Sequence, residues 1–152
     1  MTSEQVAQCL AAAGCGGAYL TFILDREYAC PAVDYITKEF APWFWAEQYR
    51  RGVATWKAER NDCDNFAVRA FADMGTAHAL AEKQTGKGLA FGLFFYQPDG
   101  PPGLHAINFA IIRGPDGTHH PVWFEPQPQA NTFGLVSLTQ TERNSCVGYL
   151  LC

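Results

Sequence analysis

The sequence has no cluster of basic residues: its 11 lysines and arginines are scattered, only Arg50 and Arg51 are adjacent among them, and the formal net charge is −4. Phosphate backbones are held by a concentrated positive footprint, so DNA and RNA are excluded as partners. A basic start followed by a long apolar segment is also missing. Met1-Thr2-Ser3-Glu4-Gln5 does not read as a signal peptide, and no apolar run reaches membrane-spanning length. These absences set the expectation of a cytoplasmic chain with no membrane partner, or, if phage-encoded, one of the host cytoplasm or the virion. No Cys-x-x-Cys pair occurs among Cys9, Cys15, Cys30, Cys63, Cys146 and Cys152. That excludes a zinc knuckle and a thioredoxin-type redox motif, and neither a metal nor a cofactor is expected. Bridges between Cys9 and Cys15 or between Cys146 and Cys152 stay open.

What is present is core material. The chain has 152 residues, of which 48% are hydrophobic and 14% aromatic. A chain of this size buries roughly 70% of its unfolded surface without staples, as one domain. The expected organisation is a single domain over 1–152, with 1–17 as an N-terminal helical arm.

The stretch from Asn61 to Phe71 organises the rest. Asn61 or Asp62 can cap a helix, and Asp64 adds charge where the helix dipole favours it. Phe66, Ala67, Ala70, Phe71 and Met74 then form an apolar stripe on one face. Cys63 stands in the first turn, where unpaired amides and the positive end of the dipole favour a thiolate. A small buried hydrophobe is the competing reading of the same residue.

Upstream, a short helix is predicted from Glu4 to Ala13, and Ala18 to Leu24 has strand-like content. Pro31 and Pro42 each suit the first turn of a helix, the second carrying Trp43, Phe44, Trp45 and Tyr49 and closing at Gly52. Downstream the character changes to strands. Leu89 to Tyr96 and Leu104 to Arg113 are apolar runs separated by a proline-glycine loop. Gly114-Pro115-Asp116-Gly117 is a tight turn, and Val122 to Gln127 returns. Leu135 to Leu138 and Cys146 to Leu151 add two more. Helices first and an antiparallel sheet second predict an α+β domain, the nucleophile helix packed on the sheet.

A thiolate needs a base, and the base an orienting group. His78, on the same helix as Cys63, would lie roughly 22 Å away along the axis. His119 and His120 sit at the turn end of the hairpin, about 24 Å along the strand from His105. His105 is therefore the candidate. Counting across the hairpin sets it opposite residue 126 or 127, with Glu125 one register step away, so Glu125 and Gln127 flank it. A carboxylate there can fix the imidazole's tautomer. Further candidates for oxyanion or substrate contact are Asn61, Lys57, Trp56 and Gln127.

Asp62-Cys63-Asp64-Asn65-Phe66-Ala67, His105-Ala106-Ile107-Asn108 and Trp123-Phe124-Glu125-Pro126-Gln127, in that order, resemble the papain-like cysteine protease domain at the C-terminal end of certain fungal lectins and in bacterial and phage relatives. The likeness covers about Tyr28 to Gln127. It implies a papain-like fold and a cysteine hydrolase acting on peptide or isopeptide bonds of a peptide or protein substrate. Cys63 would be the nucleophile, His105 the general base and acid, and Glu125 the orienting residue. The lectin half is absent, so the resemblance implies no sugar binding, and calcium dependence is not carried over. Rival expectations are a peptidoglycan endopeptidase or amidase of a phage or bacterium, a transglutaminase-like acyl transferase, and a non-catalytic papain-like binding protein.

Overall fold

The computed structural model describes residues 1–57, 62–81, 86–100, 102–129 and 132–151. The chain opens with helix α1 (Ser3–Leu10), capped by Thr2, whose side chain accepts from the Gln5 amide while Gln5 returns a bond to the Thr2 amide. Wider π-type turns continue it over Ala11–Cys15. Strands β1 (Leu20–Ile23) and β2 (Tyr28–Ala29) follow. A second run of π-type turns, Tyr35–Phe40, leads into α2 (Ala41–Arg50), with Pro42 in its first turn. Helix α3 spans Cys63–Ala81. Then come β3 (Gly88–Leu89), β4 (Phe91–Tyr96), β5 (His105–Arg113), β6 (His119–Gln129), β7 (Thr132–Val136), the short α4 (Gln140–Asn144) and β8 (Gly148–Leu151).

Six strands form the main sheet in the order β1-β8-β4-β5-β6-β7. Every neighbouring pair is antiparallel except β1 and β8, which run parallel, Leu20 beside Gly148 and Ile23 beside Leu151. The expected antiparallel sheet is thus corrected to a mixed one. The physical reason is that β1 and β8 are joined by most of the chain rather than by a turn, and only such long connections permit parallel neighbours. The expected order is corrected too, because β1 precedes the helix that carries Cys63.

The middle strands are apolar on both sides because both faces are covered. On one face Phe94, Ile107, Phe109 and Ile111 pack with Val6 and Leu10 of α1. On the other, Phe91, Ala110, Ile112 and Phe124 meet Phe66, Ala70 and Met74 of α3 and Phe44 and Trp45 of α2. The α3 stripe read from the sequence is this contact. Buried Asn108 adds direction to it: its Nδ2 donates to Ala67 O at 3.0 Å and to Gly92 O at 3.2 Å, tying α3 to β4 through β5. At Gly92 a Cβ would collide with the Leu150 carbonyl and the Phe109 ring, so only glycine lets β8 lie this close.

Candidate functional site

Helix α3 begins beside the start of β5. The Phe66 amide donates to Asp62 O at 3.1 Å, and Asn65 Oδ1 accepts from the Asp62 amide at 3.2 Å, so the helix is capped just ahead of Cys63. Cys63 is the first residue of α3, half-buried, and packs against the cluster of Ala67, Leu93 and Ala106. His105 is the first residue of β5 and lies across from Tyr96, whose ring meets the imidazole edge-on at 5.7 Å between centroids.

The two residues touch. A hydrogen bond to the His105 ring is the largest influence on the Cys63 thiol and lowers its pKa. Burial works against it, while the Ala106 amide and the imidazolium charge reinforce the lowering. Asp62 opposes it by its negative charge. On the far side of the ring, His105 Nε2 and Glu125 Oε2 are 2.7 Å apart, which leaves Nδ1 to face the sulfur. Burial of His105 disfavours its charged form, but its bonds to Cys63 and Glu125 outweigh that and raise its pKa to about 9. Glu125 is itself buried, and the backbone amide of Gln127 donates to its other oxygen at 2.9 Å.

The row Cys63–His105–Glu125 therefore sets a thiol favoured toward its anion against an imidazole favoured toward its cation, with the Glu125 carboxyl group behind it. The hairpin places it. Asn108 faces Phe124 and Arg113 faces His119, and continuing that register brings Glu125 within reach of His105, Oε2 to Nε2 at 2.7 Å. Beside Cys63, Asp64 is held above the ordinary carboxylate range, first by the hydrogen bond its protonated form donates to Asp62, then by burial and the charge of Asp62. Tyr96 was not singled out in the sequence; its place at the end of β4, opposite the first residue of β5, was the signal.

The other expected residues fall elsewhere. Trp56 is 51% exposed, in the segment ahead of α3. Gln127 is buried and acts through its backbone amide. Asn61 lies outside the described residues. His78 bonds the Lys87 carbonyl from α3 at 3.1 Å, and His119 and His120 stand at the far end of β5. Among the described residues no group of three or more His, Cys, Asp or Glu could hold a metal ion, and no helix is long and apolar enough to cross a membrane.

The raised pKa carries a measurable consequence. A group whose folded pKa lies above its unfolded value adds stability that is complete below about 6.5 and is lost as pH rises through about 9. The Cys63 contribution has the opposite sign, present above the ordinary thiol pKa and lost as pH falls through the lowered one. NMR titration of the His105 ring is expected to show a midpoint near 9. A midpoint at or below 6.5 would mean that the imidazolium has no ionised partners.

No protein-family model matches the sequence, and no curated protein matches it. Solved structures do. A structure of PSL1a in complex with E64 superimposes with a TM-score of 0.71 at 22% identity, over 99% of this chain and 50% of that one. Polyporus squamosus lectin, bound to the human-type influenza-binding epitope Neu5Aca2-6Galb1-4GlcNAc, gives a TM-score of 0.67 at 23% identity, over 99% of this chain and 49% of that one. This chain spans about half the length of each, and at such identity the likeness concerns the fold.

These structures correct the family expectation. One is named as a lectin and neither as a peptidase. The assignment to papain-like cysteine proteases, with its papain-like fold class and its peptide, isopeptide or peptidoglycan hydrolase activity, gives way to a narrower statement: the chain has the fold of these two structures. The physical reason is that a thiol, an imidazole and a carboxylate in a row define a local chemistry, while short motifs of this kind occur on unrelated folds and do not by themselves establish a reaction. The expected peptide or protein partner is corrected as well, since the ligands named with the comparison structures are E64 and a glycan.

Proposed function

We propose that this chain is a ligand-binding domain whose binding site is the face around Cys63, His105 and Glu125, with Cys63 as its reactive atom. The observation that supports the reading is the row itself. A thiol favoured toward its anion and an imidazole favoured toward its cation are held in contact at the mouth of a helix, beside the buried Glu125 carboxyl group, where an outside molecule can still reach them. Keeping such groups ionised and half-buried costs desolvation, and sites that maintain strongly shifted groups are disproportionately functional. Cys63 is placed to bond an electrophilic carbon, with His105 as proton donor and Glu125 as the group that orients the ring.

E64, the compound named in complex with one comparison structure, is the probe. Incubation with the intact chain followed by peptide mass analysis is expected to give one adduct, on Cys63. An unmodified Cys63, or label spread evenly over the other thiols, would defeat the reading.

The second comparison structure favours another ligand class, a glycan. Sugar hydroxyls both donate and accept, and the face offers the Asp62 and Asp64 carboxyls beside Cys63. Retention of an oligosaccharide on a glycan array, abolished by carboxamidomethylation of Cys63, is the result expected of that reading. Retention unaffected by the modification would place the sugar elsewhere on the molecule.

A further inference from the structure

A second pair of sulfur atoms lies on the opposite side of the sheet from Cys63. Cys15 ends the π-type turns that continue α1, and Cys146 immediately precedes the β8 region. Both are free, both are buried in the core cluster under the sheet, at 1% and 4% exposure, and their side chains are hydrogen-bonded to each other. The bridges left open by the sequence paired each of these residues with a near neighbour along the chain; the fold pairs them with one another.

The contact is fixed from both sides. Gly14, at a φ of 102°, turns the chain against α4, where a Cβ would collide with the Gln140 side chain. Arg143 of α4 is held in place by donation to the Leu138 carbonyl and by its guanidinium over the Trp123 ring at 5.9 Å. Cys146 Sγ also reaches the Gly148 carbonyl at 3.8 Å. Neither sulfur touches the Cys63 row, and no step of the binding proposal uses them.

We propose that Cys15 and Cys146 form a redox pair, oxidised by a peroxide to a disulfide that staples the N-terminal helical segment to the entry of β8. The chemistry balances. The Cys15 thiolate attacks one peroxide oxygen, forming a sulfenic acid and releasing hydroxide. Cys146 sulfur then attacks the Cys15 sulfur, the S–S bond forms, and the sulfenic oxygen leaves as a second hydroxide. The two thiol protons convert both hydroxides to water, so two sulfurs lose an electron each and the peroxide gains two. Cys15 is the attacking partner because the S–H of Cys146, and after it the charge of Arg143, favour its anion despite burial. Burial selects a small oxidant, since a bulky disulfide reagent has no path to either sulfur.

The linkage would close a loop containing most of the chain, the case in which a cross-link restricts the unfolded ensemble most. The test uses the full-length chain treated with hydrogen peroxide, alkylated, digested without reduction and analysed by mass spectrometry, alongside thermal melts with and without dithiothreitol. A peptide pair joined through Cys15 and Cys146, with a reversible rise in Tm of about 10 °C, is expected. Two outcomes overturn the proposal. One is both thiols recovered alkylated after peroxide treatment; the other is a dominant linkage through different cysteines, such as Cys9 with Cys30.

Discussion

Replacing His105 by alanine will slow iodoacetamide alkylation of Cys63 at pH 6 by about tenfold and move the midpoint of its pH–rate profile up toward the ordinary thiol range. The argument rests on which contact dominates the thiol. The bond to His105 is the largest of its influences, and the imidazolium charge adds to it. Removing both leaves burial and Asp62, which favour the neutral form, against the Ala106 amide alone. Thiolate becomes rarer, although each remaining thiolate is more nucleophilic, so the fall is smaller than the change in ionisation. Glu125→Gln is the graded control: it removes the carboxylate's support for the imidazolium but keeps the ring, and its effect should be intermediate. If alkylation of the His105→Ala chain follows the same pH profile as the unaltered one, the ion-paired row does not exist in solution.

Phe94→Ala is expected to cost about 3–5 kcal/mol, which lowers Tm by roughly 10 °C in a domain of this size. Phe94 is fully buried in β4, between β8 and β5. Its ring meets Phe109 at 6.2 Å and Trp123 at 6.1 Å edge-on, and Tyr96 at 5.7 Å. Truncation leaves a void bounded by rings that are themselves clamped by the sheet and by α1, so little collapse is available. Leu80→Ala, at a position 84% exposed, is the comparison and should change stability by less than about 0.5 kcal/mol. Equal effects at the two positions would contradict the packing described for β4.

How far the residues announce this arrangement depends on how local each feature is. The α3 stripe and the apolar runs of β4 and β5 were readable because their periodicity is set by a nearby core. The meeting of Cys63 with His105 was readable for a similar reason: a helix start and a strand start are both announced by their own neighbours. Glu125 was only narrowed down, because counting across a hairpin fixes the register to within a step and leaves open which neighbouring side chain reaches the imidazole. The parallel pairing of β1 with β8 and the contact of Cys15 with Cys146 left no local trace, since each joins segments at opposite ends of the chain. The family reading failed at a different level, by taking a local chemistry for the identity of the whole domain.

The position of β8 also dictates an order of assembly. It lies between β1 and β4, so β1 has no strand to bond in this sheet until β8 has been synthesised. During translation Leu20 to Ile23 must therefore wait, its ladder N–H and C=O groups unpaired, while the hairpins of β4 to β7 form. A nascent chain stalled before Gly148 should accordingly leave the β1 backbone open to proteolysis, and emergence of Gly148 to Leu151 should protect it.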